Sequence, residues 1–400
     1  MNNAHIISIG SLASFSRGLT YSRSDEVDYS SNVVLRSNNI DLATNTLNFD
    51  ELKYISDAIN IPEDKKLQRN SIFMCMSNGS KQHLGKVAFI DRDYPYAFGG
   101  FMGLIKPKED IIIPKLLYYY FCSSKFKGFL SSIGNGANIN NIKFVDIAKD
   151  HISVPDKTTQ QSIIEELDKI NELIHLKKEQ LKDYDNLAQS IFYEMFGDPV
   201  VNKKGWEVKK LSSITSKIGS GATPKGGNES YKTEGISLIR SLNVHNNEFL
   251  YKDLAHIDNE QAEALSNVEI KEYDVLLNIT GASVARCCIV PDDVIPARVN
   301  QHVCIVRTIQ EKALPIFINR VLTNENFQAN LLRLARSKAA TREALPKSIV
   351  DNIQVPLPPL SLQQLFAQRI ELIEQQKDEI KSTIADLETL LASRMQYWFD

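Results

Sequence analysis

Residues 219–231, GSGATPKGGNESY, combine glycines with a central Thr-Pro-Lys, the composition of a loop whose main-chain amides could cradle phosphate. A nucleotide-hydrolysing loop needs G-x-x-x-x-G-K-[ST], with the hydroxyl on magnesium, yet here Lys225 follows Pro224 and precedes Gly226. A dinucleotide fingerprint would need glycine at Pro224, and GSKQHLGKV (79–87) places Val87 where the hydroxyl should stand. Asp198, Glu207 and Lys209 imitate a nuclease D…E-x-K triad, but such triplets are common and these are expected to be solvated charges. The Asn/Asp-Pro-Pro-aromatic tetrapeptide of base-flipping methyl transfer does not occur. His83, His245 and His302 lack metal-ligand spacing, and Cys75, Cys122, Cys287, Cys288 and Cys304 form no C-x-x-C pair. The expectation is therefore a chain without catalytic residues, metal or cofactor, whose cysteines are buried small hydrophobes.

What the loops do offer is chemistry for binding a polyanion. SRGLTYSR (16–23), RSNN (36–39), SNGSKQHLGK (77–86) and GNGANINN (134–141) are answered later by GSGATPKGG, RSLN (240–243), NITGASVAR (278–286) and SKAATREAL (337–345). Arg, Lys, Asn, Gln, Ser and Thr pair with base edges and phosphates, and glycine lets a backbone approach a sugar-phosphate strand. Candidate DNA contacts in the first set are Arg17, Thr20, Tyr21, Arg36, Asn38, Asn78, Lys81, Lys86 and Asn138. In the second they are Ser220, Thr223, Lys225, Arg240, Asn243, Thr280, Arg286, Arg298, Gln301, Thr341 and Arg342. Matching positions differ in chemistry: Thr341 and Arg342 align with Asn138 and Ile139, and Arg298, Asn300 and Gln301 with Phe98, Gly100 and Phe101. Two different half-sites would require that.

The elements that position these loops are duplicated. VPDKTTQQSIIEELDKI (154–170) returns as PPLSLQQLFAQRIELI (358–373), with Gln160 and Gln161 falling on Gln363 and Gln364 at a separation of 203. LRSNNI (35–40) returns as IRSLNV (239–244), and GKVAFI (85–90) as ARCCIV (285–290). Each copy opens with short β-like runs such as SIFMCM and DVLLNI and with helical stretches, then ends in a long helix. In that helix apolar residues fall at 163, 167, 170, 174, 181, 184, 188, 191 and 195, and again at 366, 370, 373, 380, 384, 387, 391 and 398, the 4–3 spacing of a coiled-coil seam. Each seam carries one lysine, Lys177 or Lys377. A helix of roughly 36 residues is about 54 Å long, more than one small domain covers, so the helices are expected to pair antiparallel about a pseudo-two-fold axis. The expected fold is α+β, with mixed α/β domains at 1–158 and 198–358, a central spacer helix at 159–197 and a second at 359–400.

The charge follows the same division. The net −3 is unpromising for a DNA binder, but residues 160–200 carry −5 and 361–400 carry −3, leaving +5 on the remaining 319. The chain lacks an apolar run of the roughly 18 residues a membrane span needs, and its start lacks a signal peptide's pattern, so a cytoplasmic location is expected.

At WEVKKLSSI (206–214), the G-x-T-P loop (221–224), RSLNV, NITGASVAR, AATREALPK (339–347) and VPLPPLSLQQ (355–364), the chain resembles the specificity subunits of Type I restriction-modification systems. The first copy departs from that pattern, lacking the tryptophan lead-in and carrying GANINNI in place of AATREAL. The resemblance implies a non-catalytic subunit with two target recognition domains reading a split double-stranded DNA site, and spacer helices that dock two methyltransferase subunits. With motor-nuclease subunits the complex would be an adenine methyltransferase and ATP-dependent endonuclease. The specificity subunit of a Type IIB enzyme, or a coiled-coil adaptor without a DNA role, are the rival expectations.

Overall fold

Alternation in one short strand sets the layering of each half of the molecule. The computed structural model describes residues 4–133, 141–224, 226–337 and 343–400, divided into a first unit of residues 1–179 with 382–400 and a second of 180–381. In the first unit the strand Ser71–Cys75 is buried on both faces. Ile72 and Met74 face a core shared with the helices Pro114–Cys122 and Ser124–Ile133, while Phe73 and Cys75 face a core with Leu35 and Phe98. A period of two thus divides one strand between two apolar layers. In the second unit Val275–Asn278 does the same, Leu277 joining Phe317 and Phe192 while Leu276 joins Leu238 and Val299.

The sheets share one plan. In the first unit the strands run Ala13–Arg17, Met102–Pro107, Ser71–Cys75, Val87–Ile90, all antiparallel; in the second Thr215–Ser220, Val303–Thr308, Val275–Asn278, Cys287–Ile289. A second sheet in each unit, of four strands in the first and three in the second, holds a parallel pair, Asn32–Leu35 with Ala97–Phe98, or Ile236–Ile239 with Ala297–Val299. Those parallel pairs correct the alignment by one residue. Leu35 lies beside Phe98 as Ile239 lies beside Val299, so Arg298 overlies Ala97, Asn300 overlies Gly99, Gln301 overlies Gly100 and His302 overlies Phe101.

Each unit also receives parts of both long helices, Lys157–Phe196 and Leu360–Phe399. In the first unit Arg394 and Trp398 pair with Glu166, and Lys178 Nζ donates to Glu388 at 2.8 Å; in the second Lys377 Nζ donates to Asp185 at 2.8 Å, and the Phe192 and Phe366 rings lie 5.7 Å apart. Partner numbers fall on one helix as they rise on the other, so the pairing is antiparallel in each unit. Most seam positions are buried or half-buried, but the buried face is wider than the seam: Ile164, Phe192 and Phe196 also join the cores, because the helix packs on a sheet layer as well as on its partner. Lys377 is the buried seam lysine. Burial works against its charge, yet Asp185 and Glu374 outweigh that and hold its pKa above the ordinary lysine value.

Gln160 and Gln363, which recur at a separation of 203, do the same work in the two units. Gln160 Oε1 accepts the Ile113 amide at 2.8 Å and its Nε2 donates to Ile111 O and Pro155 O; Gln363 accepts Leu314 N at 2.9 Å and donates to Lys312 O and Pro358 O. Each latches the start of a long helix to the amide just before a helix that opens on proline, Pro114 or Pro315. The strand pair Glu207–Lys210 with Gln354–Leu357 has its counterpart in His5–Ser8 with His151–Val154, so the first copy builds its lead-in without a tryptophan.

Candidate nucleic-acid interface

In the second unit the G-x-T-P loop is placed by a backbone approach. The Gly221 amide donates to Asn300 O at 3.1 Å, and a Cβ on Gly221 would lie 1.8 Å from Val299 O. Only glycine permits that contact. It brings Thr223 to Gln301, and a chain of side-chain hydrogen bonds runs on: Thr223 Oγ1 donates to Gln301 Oε1, Gln301 Nε2 lies 3.0 Å from His302 Nε2, and His302 Nδ1 lies 2.5 Å from Thr280 Oγ1. The imidazole thus bridges the Gln301 amide and the Thr280 hydroxyl through its two ring nitrogens. Thr280 and His302 line a cleft with Ser241, Arg286 and Glu343. Thr223, Thr280, Arg286 and Gln301 are therefore gathered by one chain and one cleft on the same loops. His302 belongs at its centre and sequence reasoning passed it over, weighing it only as a metal ligand; its place beside Gln301 was the available signal.

Other candidates serve the frame. Asn243 is fully buried, accepting the Arg240 amide at 3.0 Å and donating to Leu250 O and Lys252 O, so its side chain caps a turn. Asn39 does this in the first unit. Arg298 is buried with Nε donating to Ala262 O at 3.1 Å, so it is spent inside the unit. Arg240 stacks over Tyr231 at 5.2 Å and donates to Asp253 O, a half-buried brace. Ser220 lines a separate recess with Lys217, Asn267 and Lys347. Lys225, Thr341 and Arg342 lie outside the described residues.

The first unit has the same frame with other side chains. Gly18 donates to Met102 O, and its Cβ would lie 2.1 Å from Gly99 O. Thr20 is exposed beside Gly100, Asn78 Nδ2 donates to Ser37 Oγ at 3.0 Å, and Phe101 stands 73% exposed where the other unit has His302. Arg17 is exposed on the strand leading into this loop, its guanidinium 6.0 Å from the Phe144 ring centre. Arg36 is half-buried, its buried Nε without a partner among the described residues, as in Arg240. Asn38 is exposed and donates to Glu51, and Tyr21 is half-buried, its pKa raised by burial and then by Glu26. Lys86 is the correction here: buried, it donates to Ile40 O at 2.9 Å, and burial lowers its pKa, so it is tied to the core rather than offered to phosphate. The Lys81 side chain and Asn138 lie outside the described residues.

Asp198 is engaged by the Val200 and Val201 amides and by Asn326, while Glu207 pairs with Lys209, so no nuclease triad assembles. Among the described residues no group of three acidic, histidine or cysteine side chains could hold a metal ion, and no helix is long and apolar enough to cross a membrane. Four of the five free cysteines are buried, and burial pushes the thiols of Cys288 and Cys304 up to about 12.

Comparison with known proteins agrees with the duplicated fold. The Type I restriction enzyme EcoKI specificity subunit of Escherichia coli (strain K12) is 23% identical over 95% of this chain and 84% of its own length. The StySPI specificity subunit of Salmonella potsdam is 24% identical over 97% and 86%. The fold matches the S subunit of a Type I restriction-modification system from M. genitalium (TM-score 0.55, 14% identity, 100% and 96% coverage) and a chain of another type I system (TM-score 0.58, 15% identity, 99% and 97%). The family model for the Type I restriction modification DNA specificity domain matches twice, over residues 1–183 and 203–389, so that each half of the chain carries one copy, and the chain belongs to that family.

Proposed function

We propose that residues 1–158 and 198–358 are target recognition domains, each reading one half of a split duplex site, and that the helices at 159–197 and 359–400 set the gap and dock two methyltransferase subunits. The polar chain from Thr223 through Gln301 and His302 to Thr280, on a frame that recurs in the first unit with different side chains, is the observation that carries this reading. A common frame with unlike faces suits two unlike half-sites. Chemistry then lies with the partners: methylation of adenines with the methyltransferase subunits, and cleavage once motor-nuclease subunits join. Exposed leucines on the long helices, among them Leu173, Leu176, Leu187, Leu365, Leu372 and Leu390, suit protein docking better than DNA.

The test is selection from random duplexes by this chain with its methyltransferase partner. One split sequence should be enriched, and enrichment of none would favour the adaptor reading. Arg286→Ala is expected to weaken binding about fivefold or more, the value of one good base contact at roughly 1–3 kcal/mol, and only for duplexes with an intact second half-site. Anisotropy titrations against scrambled half-sites measure this. A matched insertion of four residues after Lys177 and four after Lys381, near where each helix passes from one unit to the other, lengthens both helices by about 6 Å. The gap between unchanged half-sites should then grow by about two base-pair steps of roughly 3.4 Å. Methylome sequencing reads that gap, and an unchanged one refutes the spacer role.

A further inference from the structure

We infer that Phe101 reads the 5-methyl group of a thymine in the first half-site, an assignment that rests on the recognition role proposed above. The ring is 73% exposed, yet its backbone is pinned: Phe101 O accepts the Met76 amide at 3.0 Å and the Ser77 amide at 3.1 Å, and Met102 N closes the turn on Gly99 O at 2.8 Å. Gly99 and Gly100 place no side chains beside it. A large apolar ring held out of the protein on a rigid turn loses the burial that would stabilise it, unless a partner covers it.

The surroundings say what that partner is. Thr20 lies beside the neighbouring Gly100, Ser77 donates its amide to Phe101 O, and the next residue, Asn78, is paired with Ser37, so the segments that hold the turn carry hydroxyls and an amide, the groups that meet base edges and phosphates rather than a second protein core. The same backbone position in the second unit carries His302, whose carbonyl accepts the Ile279 amide at 2.9 Å and whose imidazole is the middle of the hydrogen-bonded chain. One position therefore presents a hydrogen-bonding ring in one domain and an apolar ring in the other. On the major-groove floor the apolar feature among the base edges is the thymine methyl. An aromatic side chain at a reading position fits it.

The experiment uses the full chain with its methyltransferase partner and the split duplex that selection returns. Each thymine of the first half-site, on either strand, is replaced in turn by deoxyuridine, which removes the methyl and leaves every hydrogen-bonding group. At one position the substitution should weaken binding about fourfold, the equivalent of one buried methyl at about 0.8 kcal/mol. Phe101→Ala should weaken the parent duplex by at least as much and be indifferent to uracil there, while recognition of the second half-site stays unchanged. Because Phe101 is exposed, the variant should melt like the parent. Indifference of the parent protein to every uracil, retained uracil sensitivity in Phe101→Ala, or a first half-site made only of G·C pairs would each overturn the assignment while leaving DNA recognition standing. Failure to enrich any split sequence would instead overturn the recognition role, and with it this one.

Discussion

Gly221→Ala is expected to destabilise the second unit by about 3 kcal/mol or more, the upper end of an overpacking penalty, and to abolish enrichment of the second half-site. The added Cβ would lie 1.8 Å from Val299 O and 2.8 Å from Val299 C. Those are main-chain atoms of the strand Ala297–Val299, which is paired with Ile236–Ile239, so no flexible side chain can swing aside. Relief would require opening the Gly221 amide bond to Asn300 O and carrying Thr223 away from Gln301. For a unit of this size the loss corresponds to a fall in Tm of roughly 6–12 °C. Gly219→Ala is the control two residues away, since nothing lies within 4 Å of the Cβ it would add. Its effect should stay within about 0.5 kcal/mol. Gly18→Ala should repeat the result in the first unit, where Gly99 O stands 2.1 Å from the added atom, and should spare the second half-site. Equal losses at Gly219 and Gly221 would mean that general loop stiffness, not this approach, sets the interface.

Gln363→Ala should cost about 3–5 kcal/mol, from three buried groups left without partners at roughly 1–3 kcal/mol each, offset in part by relaxation. The side chain is completely buried, and it is what joins Leu314 N, Lys312 O and Pro358 O. Deleting it leaves a cavity between the start of the long helix and the helix Pro315–Leu322, so the long helix should fray first and docking of a methyltransferase subunit should weaken with it. Gln364→Ala, one residue on and exposed, should be nearly silent. Urea unfolding of the two variants side by side distinguishes them. Equal midpoints would refute the latch.

Much of the plan was legible because it is written in periods. The short β-like runs, the 4–3 rungs and the 203-residue separation all follow from which faces must be buried, and they anticipated a duplicated mixed fold with two long helices that pair antiparallel; that each helix is shared between the two units was not anticipated. The glutamines were visible as a repeat, but their work was not, since it consists of bonds to main-chain groups some 50 residues away. The site was less legible. Residue type cannot tell an arginine aimed outward from one turned in: Arg286 lines the cleft, whereas Arg298 is buried against Ala262 O. Lys86 and Arg286 share a position and differ in aim. Similarly, the one-residue slip between Phe98 and Arg298 could be settled only by strand register, and with it the pairing of Phe101 with His302.

That pairing bears on how new specificities can arise. The turn bearing Phe101 or His302 is held by bonds from its own carbonyl to the amides of Met76 or Ile279, which any amino acid at the position can make. The exposed Phe101 side chain is thus nearly decoupled from folding free energy, whereas the His302 ring is engaged by Gln301 and Thr280, so at the exposed position a single codon change can alter what is read without passing through an unstable intermediate. Gly221 and Gln363 have no such freedom. Variation in a lineage of such chains would accordingly be tolerated at the projecting positions and purged at the joints, letting one half-site drift while the other, on its own frame, is inherited unchanged.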